Sequence, residues 1–123
     1  MIKKKIFIFI LLLLTSAIFV VYETWPIVQS EAKIRRKMLR MFPIGTDKEV
    51  IWEYAIKVDP GKYGPYKRNT GWRRDYYKDP LVGTSHINAS INNIGFIDVS
   101  IIWMFDINNK LIDIAIWKTT DLL

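Results

Sequence analysis

Hydrophobic and polar positions follow three regimes along this chain of 123 residues. Behind Met1-Ile2-Lys3-Lys4-Lys5, residues 6–22 run without a charge, and only Thr15 and Ser16 interrupt their apolar character. At 1.5 Å per residue such a helix spans about 25 Å, the short end for a bilayer core. Pro26 ends or kinks it. From Ile27 to Phe42 the period becomes helical. Ile27, Ile34, Met38 and Met41 form one stripe, and Ala32, Arg35, Leu39 and Phe42 lie beside it. Glu31, Lys33, Arg36, Lys37 and Arg40 take the opposite face, which makes an amphipathic basic helix directly after the apolar segment. Pro43 stops that helix and Gly45 permits a turn. Thr46-Asp47-Lys48-Glu49 then has the form of a capping box, with the hydroxyl at N-cap and the glutamate at N3. The helix it opens should run to about Lys57, with Val50, Ile51, Tyr54, Ala55 and Val58 facing inward.

After Ser85 the period drops to two. Ile87, Ala89 and Ile91 share one face of a strand, with His86, Asn88 and Ser90 on the other. Asn92-Asn93 and Gly95 mark a turn. Phe96 to Phe105 is a second strand, with Ile97, Val99, Ile101, Trp103 and Phe105 on one face; Ile102 and Met104 on the other suggest cover on both sides at its far end. Asp106-Ile107-Asn108-Asn109-Lys110 is a hairpin loop. Leu111 to Lys118 closes the sheet, with Ile112, Ile114 and Ile116 opposite Asp113, Ala115 and Trp117. The expected class is therefore α+β: an N-terminal transmembrane helix, then two helices packed on a three-stranded antiparallel sheet. Residues 1–25 form a membrane anchor or signal and residues 26–123 one small domain, about the size a single core can support.

Between helices and strands lies a segment with no period. Residues 59–85 carry Pro60, Gly61, Gly64, Pro65, Gly71, Pro80 and Gly83, so irregular structure is expected over most of it. Lys62, Lys67, Arg68, Arg73, Arg74 and Lys78 interleave there with Tyr63, Tyr66, Trp72, Tyr76 and Tyr77. Such a mixture can form a protein hot spot, meet anionic headgroups or stack on bases. The plainer alternative packs Trp72, Tyr76 and Tyr77 on the sheet edge and leaves the cations in water. Lys67, Arg68, Trp72, Arg73, Arg74, Tyr76 and Tyr77 are the candidate partner-binding surface. The partner expected is a protein, with no nucleic acid and no small-molecule substrate.

Charge refines this picture. Eighteen basic and twelve acidic residues leave a formal charge of +6, of which Lys3, Lys4 and Lys5 belong to the targeting segment. Residues 6–22 are read as contacting the membrane, either as the core of a cleaved signal ending at Thr15-Ser16-Ala17 or as an uncleaved anchor. Ile18-Phe19-Val20-Val21 would leave a sticky end after cleavage, and Tyr22 and Trp25 sit where interfacial aromatics belong, so the anchor is favoured. The lysines favour a cytoplasmic N-terminus, against the basic helix on the far side. The short tail and its likeness to export signals tip the reading to a single-pass inner (cytoplasmic) membrane protein with an extracytoplasmic C-terminal domain.

Little chemistry is expected. There is no cysteine, which removes disulfides, thiolate metal sites and thiol nucleophiles. His86 is the only histidine, and Ser85 beside it in a strand points to the opposite face, so no triad forms and His86 is expected to be exposed. Asp106 and Asn108 begin like a calcium loop, but Lys110 takes the fifth position and the loop glycine is missing; they are read as turn formers. Asn88-Ala89-Ser90 matches a glycosylation sequon and is taken as chance. No catalytic, cofactor-binding or metal-ligating set emerges, and a non-enzymatic role is expected.

The order of signals resembles a group of uncharacterised small bacterial envelope proteins: Pro43-Ile44-Gly45-Thr46 with Glu49-Val50, Ile87-Asn88-Ala89-Ser90-Ile91, then Trp103-Met104-Phe105-Asp106 and Lys110-Leu111. More distantly it is similar to the SmpA/OmlA-like small outer-membrane lipoproteins. That likeness implies two helices on a small antiparallel sheet and action by protein–protein contact. It covers residues 38–58 and 86–118, and its motifs are structural. Two departures are the missing lipidated cysteine and the long basic-aromatic segment. A toxin-neutralising immunity protein is the alternative function, since small, cysteine-free, membrane-tethered chains are common in that class.

Overall fold

The computed structural model describes residues 2–24, 29–61, 63–75, 77–94 and 97–120. Trp25, Pro26, Ile27, Lys62, Tyr76, Gly95 and Phe96, and the side chain of Tyr22, lie outside the described part, together with the expectations placed on them. Helix α1 (Ile2–Thr24) begins before the three lysines and is 23 residues long. That is about 34 Å at 1.5 Å per residue, more than the charge-free run alone. Its Ile2–Val21 stretch has a mean hydropathy of 2.4, long and apolar enough to cross a membrane by length and composition, a test that a signal sequence also passes. Thr15 does not interrupt it, because its hydroxyl donates to the Leu11 carbonyl at 2.8 Å.

The rest is a mixed α+β unit. Helices α2 (Glu31–Met41) and α3 (Lys48–Val58) pack on one face of an antiparallel sheet of four strands: β1 (Tyr66–Arg68), β2 (Ser85–Ile94), β3 (Ile97–Phe105) and β4 (Leu111–Thr120), in that order. Three strands were expected; the fourth is β1. Its Tyr66, Lys67 and Arg68 pair with Asn88, Ile87 and His86. Only three residues long and exposed, β1 has no alternation to show, and its partner supplies the reason it is a strand at all.

α2 starts later than its apolar stripe suggests. Ser30 caps it, accepting from the Lys33 amide at 3.1 Å. Ile34 and Met38 are buried against the sheet, whereas Met41 is exposed. The capping box on α3 does not form. Asp47 is the N-cap and its side chain makes no cap bond. The Thr46 hydroxyl instead donates to the Pro43 carbonyl at 2.6 Å, and the Lys48 amide donates to the Asn109 carbonyl at 2.9 Å. Gly45 and Leu111, and Leu111 and Thr46, bond in the same way at 2.8 and 2.9 Å. The β3–β4 hairpin therefore satisfies the donors that a local side chain was expected to satisfy. The hairpin loop itself is as read: the Asp106 carboxylate accepts from the Asn108 and Lys110 amides, both at 2.9 Å. α3 buries Ile51 and Ala55, but Val50 points to water.

The core lies between helices and sheet. Ile87, Ala89, Val99, Ile101, Trp103, Phe105, Leu111 and Ile114 meet Ile34, Met38, Phe42, Ile51 and Ala55. Phe42, Tyr54 and Trp103 meet edge-on, with centroids 5.0, 6.4 and 6.0 Å apart, tying the end of α2 to α3 and β3. Two register shifts adjust the sheet. One falls between Ser90 and Asn92, the other at Met104/Phe105, where Phe105 pairs with Leu111 and Met104 with Asp113. The second leaves Ile112 as the extra residue, so Ile112 is exposed while Leu111 and Ile114 are both buried.

Lys48 is buried in the first turn of α3, its ammonium 5.7 Å from the Phe105 ring centroid. Burial first, then the charge of Lys67, lower its pKa below the ordinary 10.5, with Glu49 acting the other way. The folded chain thus holds that proton less tightly than the unfolded chain does. Stability should rise with pH between the lowered value and 10.5. Burial raises Tyr54 above 10.0, so its contribution is lost as pH climbs past that value. Lys48→Met is expected to leave stability at pH 7 unchanged or raise it by about 1 kcal/mol. It should also abolish the rise approaching pH 10, read by urea unfolding at pH 7, 9 and 10.

Candidate functional site

Residues 69–75 and 77–84 do not hang free. They fold back over the sheet face opposite the helices. Trp72 and Val82 bond both ways, N to O at 3.1 and 2.9 Å, and the Thr84 amide donates to the Phe105 carbonyl at 2.8 Å. Two glycines permit this approach. Gly83 has φ +75, and a Cβ there would stand 2.5 Å from the Phe105 carbonyl oxygen; a Cβ on Gly71 would stand 2.4 Å from that of Gly83. Only glycine fits such a backbone-to-backbone contact. His86 is covered as a result, 5 % exposed, with Nδ1 2.7 Å from the Thr70 carbonyl. The expected exposed histidine is thus buried, because the folded-back segment supplies a cover that strand alternation does not reveal. Ile102 and Met104 on the same face are buried too, and Met104 lies beside Trp72 and Val82 of that segment.

This segment and α2 form two walls on either side of β4. Between them lies a cleft of about 630 Å³, lined by Glu31, Ala32 and Arg35 from α2, Trp72, Arg74, Asp79, Pro80 and Val82 from the segment, and Met104 with residues 113–118 from the sheet. Trp72 and Trp117 meet edge-on at 5.9 Å across its floor. β4 is the last strand of the sheet, so the cleft runs along its outer edge. At Ile114 that edge is capped from within. Arg35 Nε donates to the Ile114 carbonyl at 3.0 Å, the Ile114 amide donates to the Asp113 carboxylate at 2.8 Å, and Arg35 and Asp113 pair at 2.7 Å. In an antiparallel strand the amide and carbonyl of one residue point the same way, and the direction alternates. Ile116 therefore also aims its main chain outward, into the cleft, on the side of β4 where no described strand lies. The opposite edge is closed where β1 ends, by the Asp59 carboxylate accepting from the Ser90 amide at 3.0 Å.

The six described candidate residues do not share one face. Lys67 turns to the helix face and lies over the Trp52 ring, 4.4 Å from its centroid. Arg68 turns to the other face, 5.1 Å from the Tyr66 ring centroid. Trp72 and Arg74 line the cleft. Arg73 is half-buried, and Tyr77 is exposed. Tyr76 lies outside the described residues. Neighbours in sequence are split this way because successive residues of β1 face opposite sides. What the sequence reading missed is the other wall and the floor: Arg35, Asp113, Ile116 and Trp117. Trp117 on the non-core face of a strand was the available signal. The Arg35–Asp113 pair, 78 residues apart, had none.

Asp98 accepts from Ser90 and, at 2.7 Å, from Ser100. Among the described residues no three histidine, aspartate or glutamate side chains are grouped so that they would hold a metal ion. Asn88, first residue of the sequon, donates to the Tyr66 hydroxyl at 2.8 Å within the sheet. Comparison with protein-family models, with curated proteins and with solved structures finds no match to this chain.

Proposed function

We propose that this chain is a membrane-tethered, non-enzymatic protein-binding or assembly module of the cell envelope. α1 is its uncleaved single-pass anchor in the inner membrane, and the C-terminal domain lies outside the cytoplasm. The partner contributes an extended segment that lies along β4 as a further strand. One observation carries this reading: the outward main chain at Ile116 opens into a cleft between α2 and the 72–82 segment. An extended backbone offers a matching donor and acceptor, and unpaired sheet edges are templates for it. Trp72, Trp117 and Met104 on one side and Ala32 and Ile116 on the other give apolar contacts for alternate side chains of the guest. The Arg35–Asp113 pair closes the edge at Ile114 and so sets where the guest strand must stop.

The test places a photo-crosslinking residue at Arg74, on one wall, or Ala32, on the other, in the full-length chain in intact cells. Both positions should yield the same adduct. Ile116→Pro, which removes one outward N–H from an edge strand and leaves the β3 ladder intact, should abolish both. Adducts that differ between the walls, or that survive Ile116→Pro in a chain with unchanged circular dichroism, would reject strand addition.

A further inference from the structure

We infer that the outer face of α2 rests on the anionic headgroups of the membrane that holds α1. This rests on α1 being an anchor, but not on the cleft. Lys33, Arg36, Lys37 and Arg40 recur at i, i+3, i+4 and i+7 and share one face. The opposite face carries Ile34 and Met38, which are buried in the core. The apolar stripe is thus already used, and α2 cannot insert into lipid as a free amphipathic helix would. Its outward face acts by charge alone. Arg35 is taken by Asp113, but the side chains of Arg36, Lys37 and Arg40 enter no ion pair or hydrogen bond among the described residues. The one acid of the helix, Glu31, lines the cleft on another side.

Distance selects the occupant. Only residues 25–28 separate Thr24 from Gln29, and five fully extended steps cover at most about 18 Å. α2 follows at once and is 11 residues, about 16 Å, long. The first turn of α2 therefore lies within about 25 Å of the end of α1, close enough for a layer of negative headgroups to complement the cations of its outer face. Attraction to such a surface falls off within a Debye length, about 10 Å, and the short tether keeps α2 close enough to enter that range repeatedly. A docked α2 would also fix the direction in which the cleft opens relative to the membrane.

The experiment uses the full-length chain in lipid nanodiscs carrying a paramagnetic headgroup lipid. Amide signals of residues 33–40 are compared with those of the 106–110 hairpin, in phosphatidylcholine alone and with 30 % phosphatidylglycerol. Selective broadening of residues 33–40 is expected in the anionic discs only. The triple change Arg36→Gln, Lys37→Gln, Arg40→Gln should weaken docking about 100-fold, at roughly fivefold per charge, and remove the broadening. Raising salt from about 50 to 500 mM should do the same to the unaltered chain, so the result does not depend on the variant folding. Equal broadening in neutral discs, broadening that survives salt, or none in anionic discs overturns the proposal; the last outcome would assign the face to solvent or a soluble acidic partner. In every case the chain remains in the disc, which keeps the anchor reading separate.

Discussion

Arginines introduced together at Ile8 and Leu12 are expected to move the full-length chain from the membrane pellet to the soluble fraction. Both positions lie in the Ile2–Val21 stretch, whose mean hydropathy is 2.4. They are four residues apart and so share one face of α1, where neither cation can be buried against the other side of the helix. A charge at the centre of a spanning helix costs about 2.5–3.5 kcal/mol on insertion scales; Leu12 lies near that centre and Ile8 one turn towards the end, so the pair costs at most about 5–7 kcal/mol. Alkaline extraction followed by fractionation reads the outcome. The unaltered chain should stay in the pellet at its full-length mass. Release of the unaltered chain would remove the anchor. A released product shorter by the first 17 residues would instead make the segment a cleaved signal.

The second large effect concerns the core. Trp103→Ala should lower the stability of the domain by about 3–5 kcal/mol, read as a shifted urea midpoint. Trp103 is fully buried and holds Phe42 and Tyr54 in edge contacts, so one truncation loosens α2, α3 and β3 together. A domain of this size has only about 5–15 kcal/mol in total. Trp103→Phe is the control: it keeps an aromatic ring and should cost clearly less. A loss under about 1 kcal/mol for the alanine change would mean that the sheet and helices do not share one core. The ion pair Arg35–Asp113 offers a contrast, since both partners are over 40 % exposed and such pairs contribute about 1 kcal/mol or less. Its importance lies in closing the β4 edge and not in stability.

The elements legible in the chain are those whose signal is local. α1 needs only an uncharged run, and β2, β3 and β4 need only alternation over six to ten residues. α2 and α3 needed a helical period and a proline or glycine to end it. These are properties of a segment's own residues, and the fold kept them even where bulges at Ser90/Asn92 and Met104/Phe105 shifted the faces. The seven-residue candidate surface was legible only as composition. β1 is too short and exposed to carry a pattern of its own. The cap of α3 came from the Asn109 carbonyl, which no spacing rule places beside Lys48. His86 is buried by a segment that reaches it through Thr70, and the cleft exists because Gly71 and Gly83 let that segment close on β3. Backbone period is set by each residue and its near neighbours, so it can be read along the chain. A cover, a cap or a cleft is set by which distant backbones come within hydrogen-bond reach, and that depends on how the whole chain packs.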